Sequence, residues 1–139
     1  MAAKKESGRQ DVLVGKCEFT YADLTSGAYE AMVDVPPGAI VIGGFLAITT
    51  LFNSGTEDKF KIGKKVGSAA AVPAAYAAQT ANITVTGRAA TITPDGVEFT
   101  SKGSVGIEWA GTGAAATAGV GVLVVEYILA DRVKEVQPA

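Results

Sequence analysis

Along most of this chain apolar and polar residues alternate with a period of two, the mark of strands buried on one face. In KCEFTYA, Cys17, Phe19 and Tyr21 share one face while Lys16, Glu18 and Thr20 share the other. The alternation recurs in EAMVDV and in DKFKIG, where Phe60 and Ile62 point inward between Lys59 and Lys61. NITVT adds Ile83 and Val85, AATIT adds Ala90 and Ile92, GVEFT adds Val97 and Phe99, and SVGIEWA adds Val105, Ile107 and Trp109. Each is expected to be a half-buried strand.

Two segments break the pattern. AIVIGGFLAITTLF (39–52) and GVGVLVVEYILA (119–130) are apolar on both faces. That suits strands in the middle of a sheet, covered on both sides or pressed into a subunit contact. The β-branched Val120, Val122, Val124, Val125 and Ile128 favour strand over buried helix in the second. Turn residues fall where alternation stops: Pro36-Pro37-Gly38, Asn53-Ser54-Gly55, Pro94-Asp95-Gly96 and Ser101-Lys102-Gly103. Pro94-Asp95-Gly96, between TIT and VEF, reads as the clearest hairpin. The alanine-rich SAAAVPAAYAAQTA (68–81) reads as a crossover loop with at most a helical turn after Pro73. These readings predict an all-β chain, an antiparallel β-sandwich of jelly-roll type with about eight strands and extended terminal arms. The expected divisions are an N-terminal arm over 1–12, the sandwich over 13–130 and a tail over 131–139.

Composition agrees with a folded domain. Of the 139 residues 48% are hydrophobic and only 19% charged, far from the makeup of disordered chains. A formal net charge of -2 supplies no long-range basic field, which argues against nucleic acid as main partner. The one dense basic group, Lys4, Lys5 and Arg9 in MAAKKESGRQ, reads as a solvated arm or one that docks on an acidic surface. No apolar stretch follows that charged start, so the protein is expected to stay in the compartment where it is made. AGVGVLVVEYILA (118–130), interrupted by Glu126, is short of a membrane span of ~20 residues. A single cysteine excludes an internal disulfide.

A search for chemistry returns little. With no histidine, the usual base for serine or cysteine nucleophiles and the commonest transition-metal ligand are missing. One cysteine and no histidine cannot build a standard structural zinc site. Cys17 reads as a small core residue, and the pairs Glu57 with Asp58 and Asp95 with Glu98 read as carboxylates meeting water. GTGAAATAGVG (111–121) does not fit G-x-G-x-x-G and precedes a strand, so no phosphate loop is expected. Asn53, Ser54, Thr56, Glu57 and Asp58 crowd oxygen donors together but lack EF-hand spacing. No cofactor and no metal are therefore expected. Trp109 reads as core, and Tyr76, in the alanine-rich segment, as the freest aromatic and a contact candidate alongside Glu57 and Asp58.

One resemblance remains. Pro37-Gly38-Ala39, Thr50 followed by Phe52-Asn53-Ser54-Gly55-Thr56 with Asp58, Gly87-Arg88, and Thr117-Ala118-Gly119 leading into Val124-Val125-Glu126-Tyr127 span roughly 36–132. In this order and spacing the chain resembles capsid cement, or decoration, proteins of tailed bacteriophages, notably those of Bordetella podophages. The resemblance implies a jelly-roll subunit, made in the bacterial host cytoplasm, that binds the outer surface of an icosahedral virion head. It further implies that the subunit, often a homodimer, bridges neighbouring major capsid proteins after head expansion and carries no catalytic residue. A lectin-like or receptor-binding module of a phage tail is the alternative use of the same fold pattern.

Overall fold

The computed structural model describes residues 11–130. The expected contacts at Lys4, Lys5 and Arg9, and the tail over 131–139, lie outside these residues. Eight strands form: β1 (Leu13–Thr20), β2 (Tyr29–Val35), β3 (Ala39–Thr50), β4 (Glu57–Val66), β5 (Val72–Ala77), β6 (Gly87–Thr91), β7 (Gly103–Thr112) and β8 (Val120–Leu129). They make two four-stranded sheets of order β1-β8-β3-β6 and β2-β7-β4-β5, and every pairing is antiparallel. Successive strands cross between the sheets except at β4–β5, the double Greek key of a jelly roll.

The alternation maps onto the core. Phe60 and Ile62 of β4, Val105 and Ile107 of β7, Leu123 and Val125 of β8 are fully buried between the sheets. The doubly apolar segments became β3 and β8, neighbours at the centre of the first sheet. Only one face of this pair meets the core; on the other, Phe45 lies opposite Val124 and Ala47 opposite Val122, half-buried.

Three expectations are corrected. NITVT and GVEFT form no strands: Val85 (72% exposed) and Val97 (53%) face outward, while Phe99 is driven into the core and Ile83 packs partly buried against it. Pro94-Asp95-Gly96 is consequently no hairpin, and β6 pairs with β3 instead. Asp95 Oδ1 accepts the Val97 N–H at 2.9 Å, an Asx turn that starts an irregular crossing to β7. Finally, the alanine-rich segment contains an edge strand, β5, rather than a bare crossover. Pro73 is tolerated there because an edge strand has one side without ladder bonds.

Candidate interaction site

At one end of the sandwich four connections meet: β1–β2, β3–β4, β5–β6 and β7–β8. The β3–β4 connection carries Asn53-Ser54-Gly55 from one sheet to the other, so this turn is a corner and not a hairpin. It is sewn to the β7–β8 connection. Asn53 Oδ1 accepts the Thr117 and Ala118 N–H groups at 2.7 and 3.0 Å, and Asn53 Nδ2 donates to Thr117 Oγ1 at 2.9 Å. The Gly55 N–H donates to Ala114 O and the Thr56 N–H to Thr112 O. Beneath lies Phe52, edge-on to Phe60 at 5.1 Å between centroids and 5.3 Å from Trp109. Gly119, at φ +149°, passes so close that a Cβ there would sit 2.6 Å from the Phe52 ring, which only glycine allows.

Asp58 anchors the corner. It precedes Phe60 by two residues, so strand alternation turns its side chain inward, where it is 3% exposed. Its Oδ1 accepts the Trp109 Nε1–H at 2.9 Å and its Oδ2 the Ser54 N–H at 3.0 Å. Its own N–H donates to Asn82 Oδ1 at 2.9 Å, and its carbonyl accepts the Ile83 N–H at 2.9 Å. Next along β4, the Phe60 N–H donates to Thr80 Oγ1 and the Phe60 carbonyl accepts the Thr80 N–H. The residues after β5 thus satisfy the β4 backbone with side chains as well as amides, which is why NITVT needs no ladder of its own.

Above Trp109 opens a cavity of about 370 Å³, lined by Tyr21, Leu24, Ser26, Ser54, Gly111 and the stretch 113–116. Ser26 Oγ ties its rim, donating to Gly111 O at 3.1 Å and accepting the Gly111 N–H at 2.9 Å.

The expected contact residues part company. Glu57 stays at the surface and pairs with Lys59 at 2.7 Å. Asp58, expected at a wet turn, is withdrawn into the hub just described. Tyr76, expected to be free, is 1% exposed beneath the segment 92–99, with its carbonyl accepting the Thr93 N–H at 2.8 Å. Its ring lies 5.8 Å from Lys64 Nζ, which also stands 5.9 Å from the Phe99 ring and pairs with Asp95 Oδ2 at 2.6 Å. Among the described residues the Tyr76 hydroxyl has no hydrogen-bond partner. Burial first, and then the charge of Asp95, push its pKa well up. Cys17 is partly buried against the core, and burial followed by nearby Asp23 raises its thiol pKa. The inward register of Asp58 and the need of a buried indole N–H for an acceptor were the signals that could have found this pair.

No protein-family model and no curated protein sequence matches the chain. Solved structures do. A chain in the acidic stable capsid structure of Helicobacter pylori bacteriophage KHP30 superposes with a TM-score of 0.64 at 20% identity, covering 91% of this chain and 94% of that one. A chain of the cyanophage Pam1 capsid asymmetric unit gives 0.58 at 18% identity, covering 93% and 91%. What is shared is the fold. It is shared over nine-tenths or more of each chain compared.

Proposed function

We propose that this protein is a structural component of a phage head that binds the outer surface of the icosahedral shell. There it bridges neighbouring major capsid proteins and stabilises the expanded form. The observation that carries the reading is the end-to-end likeness to chains of two phage capsid structures. The residues named in the cement-protein resemblance support it in kind: Phe52, Asn53, Gly55, Asp58, Thr117 and Gly119 converge on one internally bonded corner. A corner fixed in advance loses little conformational freedom on docking. A subunit that prefers the expanded shell stabilises it by mass action, and many copies let each contact be modest. The partners are the major capsid protein and a second copy of the chain, with no nucleic acid or membrane. The segments 1–12 and 131–139, with Lys4, Lys5 and Arg9, and half-buried Glu57 at the surface contribute contacts. Purified protein added to expanded heads that lack it should decorate them and raise their disruption temperature; failure of both overturns the proposal.

The second reading, a glycan- or receptor-binding module, is favoured by one observation, the cavity over Trp109 with Tyr21 and two serines on its wall. A glycan-array signal lost on Tyr21→Ala, with no binding to heads, would establish it.

A further inference from the structure

Four strands end a sheet, and three of them carry a feature that blunts an edge. The pairing of β2 slips between Ala31 and Val33, β5 contains Pro73 and pairs across a register shift, and β6 has five residues with another shift. By contrast β1 matches β8 one for one from Leu13 to Thr20 with no shift. A long regular edge of this kind is a template for another strand. Val12 (52% exposed) and Val14 (62%) stand exposed along it.

Two hydrogen bonds set the direction of its backbone groups. The Tyr21 N–H donates to Gly119 O, towards β8, whereas the Thr20 N–H donates to Asp23 Oδ2, away from the sheet. Strand parity then aims the N–H and C=O of Val14, Lys16 and Glu18 at the open edge. Lys16 and Glu18 also share the exposed face.

We propose that the β1 edge pairs antiparallel with the β1 edge of a second copy, about a twofold axis at Cys17, joining two four-stranded sheets into one. This register sets Lys16 opposite Glu18 of the partner subunit, and Glu18 opposite the partner's Lys16. An axis one residue to either side would oppose lysine to lysine or glutamate to glutamate, which is disfavoured. The partner's Cys17 then faces Cys17 as a non-hydrogen-bonded pair with Cα atoms about 4.5 Å apart, inside the range a disulfide spans.

The inference takes up the dimer of the shell reading and names its surface, so its test uses the purified full chain without heads. Sedimentation should report twice the 14.1 kDa chain mass. Lys16→Glu and Glu18→Lys should each weaken self-association about tenfold or more, and the two combined should restore it. Diamide, taking two electrons and two protons from two thiols, should trap a disulfide dimer that Cys17→Ser abolishes. A monomer, a dimer indifferent to both charge reversals, a double reversal that stays monomeric, or a dimer that diamide does not trap overturns the proposal. A monomer that still decorates heads refutes this interface alone; a dimer that ignores heads refutes the shell reading alone.

Discussion

The two ends of the sandwich solve the same problem, covering the core where strands stop, by different means. At the Asn53–Asp58 end side-chain oxygens meet specific donors: Asp58 accepts from buried Trp109 and half-buried Ser54, and exposed Asn53 accepts from the Thr117 and Ala118 N–H groups. At the opposite end the irregular segment 92–102 is pinned by Ile92 and by the Phe99 ring, and the Phe99 N–H donates to Ala39 O while its carbonyl accepts the Gly38 N–H. Above it the Lys64–Asp95 pair closes over Tyr76, whose hydroxyl is left unmatched. The first end depends on directional bonds and the second on packing.

That contrast makes Phe99 the most sensitive point of the second end. Phe99→Ala should cost about 3–5 kcal/mol, the usual range for emptying a fully buried aromatic site. Urea denaturation measures it, and a loss below about 1 kcal/mol would show that the segment is held by its backbone bonds instead. At the first end Asp58→Ala should cost about 2–4 kcal/mol by stranding the buried Trp109 donor and the part-buried Ser54 N–H. Trp109→Phe removes one of those donors while keeping a ring. If the end works through directional bonds, the double mutant should lose less than the sum of the singles.

How far the sequence disclosed this arrangement follows from the same physics. Strands with several consecutive inward residues, such as β4 with Phe60 and Ile62 or β7 with Val105, Ile107 and Trp109, were legible because one buried face imposes a period of two. GVEFT and NITVT show the same period over too short a span to tell a strand from a loop with one apolar anchor. In each, a single residue packs inward, Phe99 or Ile83, while Val97 and Val85 face water. Alanine and Pro73 hid β5, since an edge strand tolerates both. Among the site residues Glu57 was legible as a surface carboxylate, and it is half-buried in a pair with Lys59. Asp58 was not, because a carboxylate beside a turn is ordinarily wet and only its partner Trp109 on the neighbouring strand β7, far along the chain, makes burial possible.

The Lys64–Asp95 latch offers a milder way to sharpen the comparison. Burial opposes ionisation of Asp95, but the Lys64 hydrogen bond, the Val97 N–H and the Lys64 charge outweigh it and hold its pKa below the ordinary value. A depressed folded pKa means that the pair stabilises the fold above the unfolded pKa of ~3.9 and loses that contribution as pH falls through the folded value. Asp95→Asn should therefore cost up to about 1 kcal/mol at neutral pH and progressively less below about pH 4. A difference that does not shrink in acid would mean that Asp95 acts through its turn geometry and not its charge.

Tyr76→Phe should have the smallest effect and the most telling sign. Deleting a hydroxyl from a matched buried pair strands its partner, but here no described residue depends on that oxygen, while the ring keeps its packing beneath 92–99. Burying an unmatched hydroxyl costs free energy that phenylalanine does not incur, so the variant should equal or exceed the parent, by up to about 1 kcal/mol in urea. The same experiment distinguishes a hidden polar partner, such as a buried water bridging Tyr76 towards Asp95, because removing the hydroxyl would then strand the water and destabilise by about 1 kcal/mol. A stabilised Tyr76→Phe beside a strongly destabilised Asp58→Ala would tie the difference between the two ends to hydrogen-bond matching, since both side chains are equally hidden from solvent.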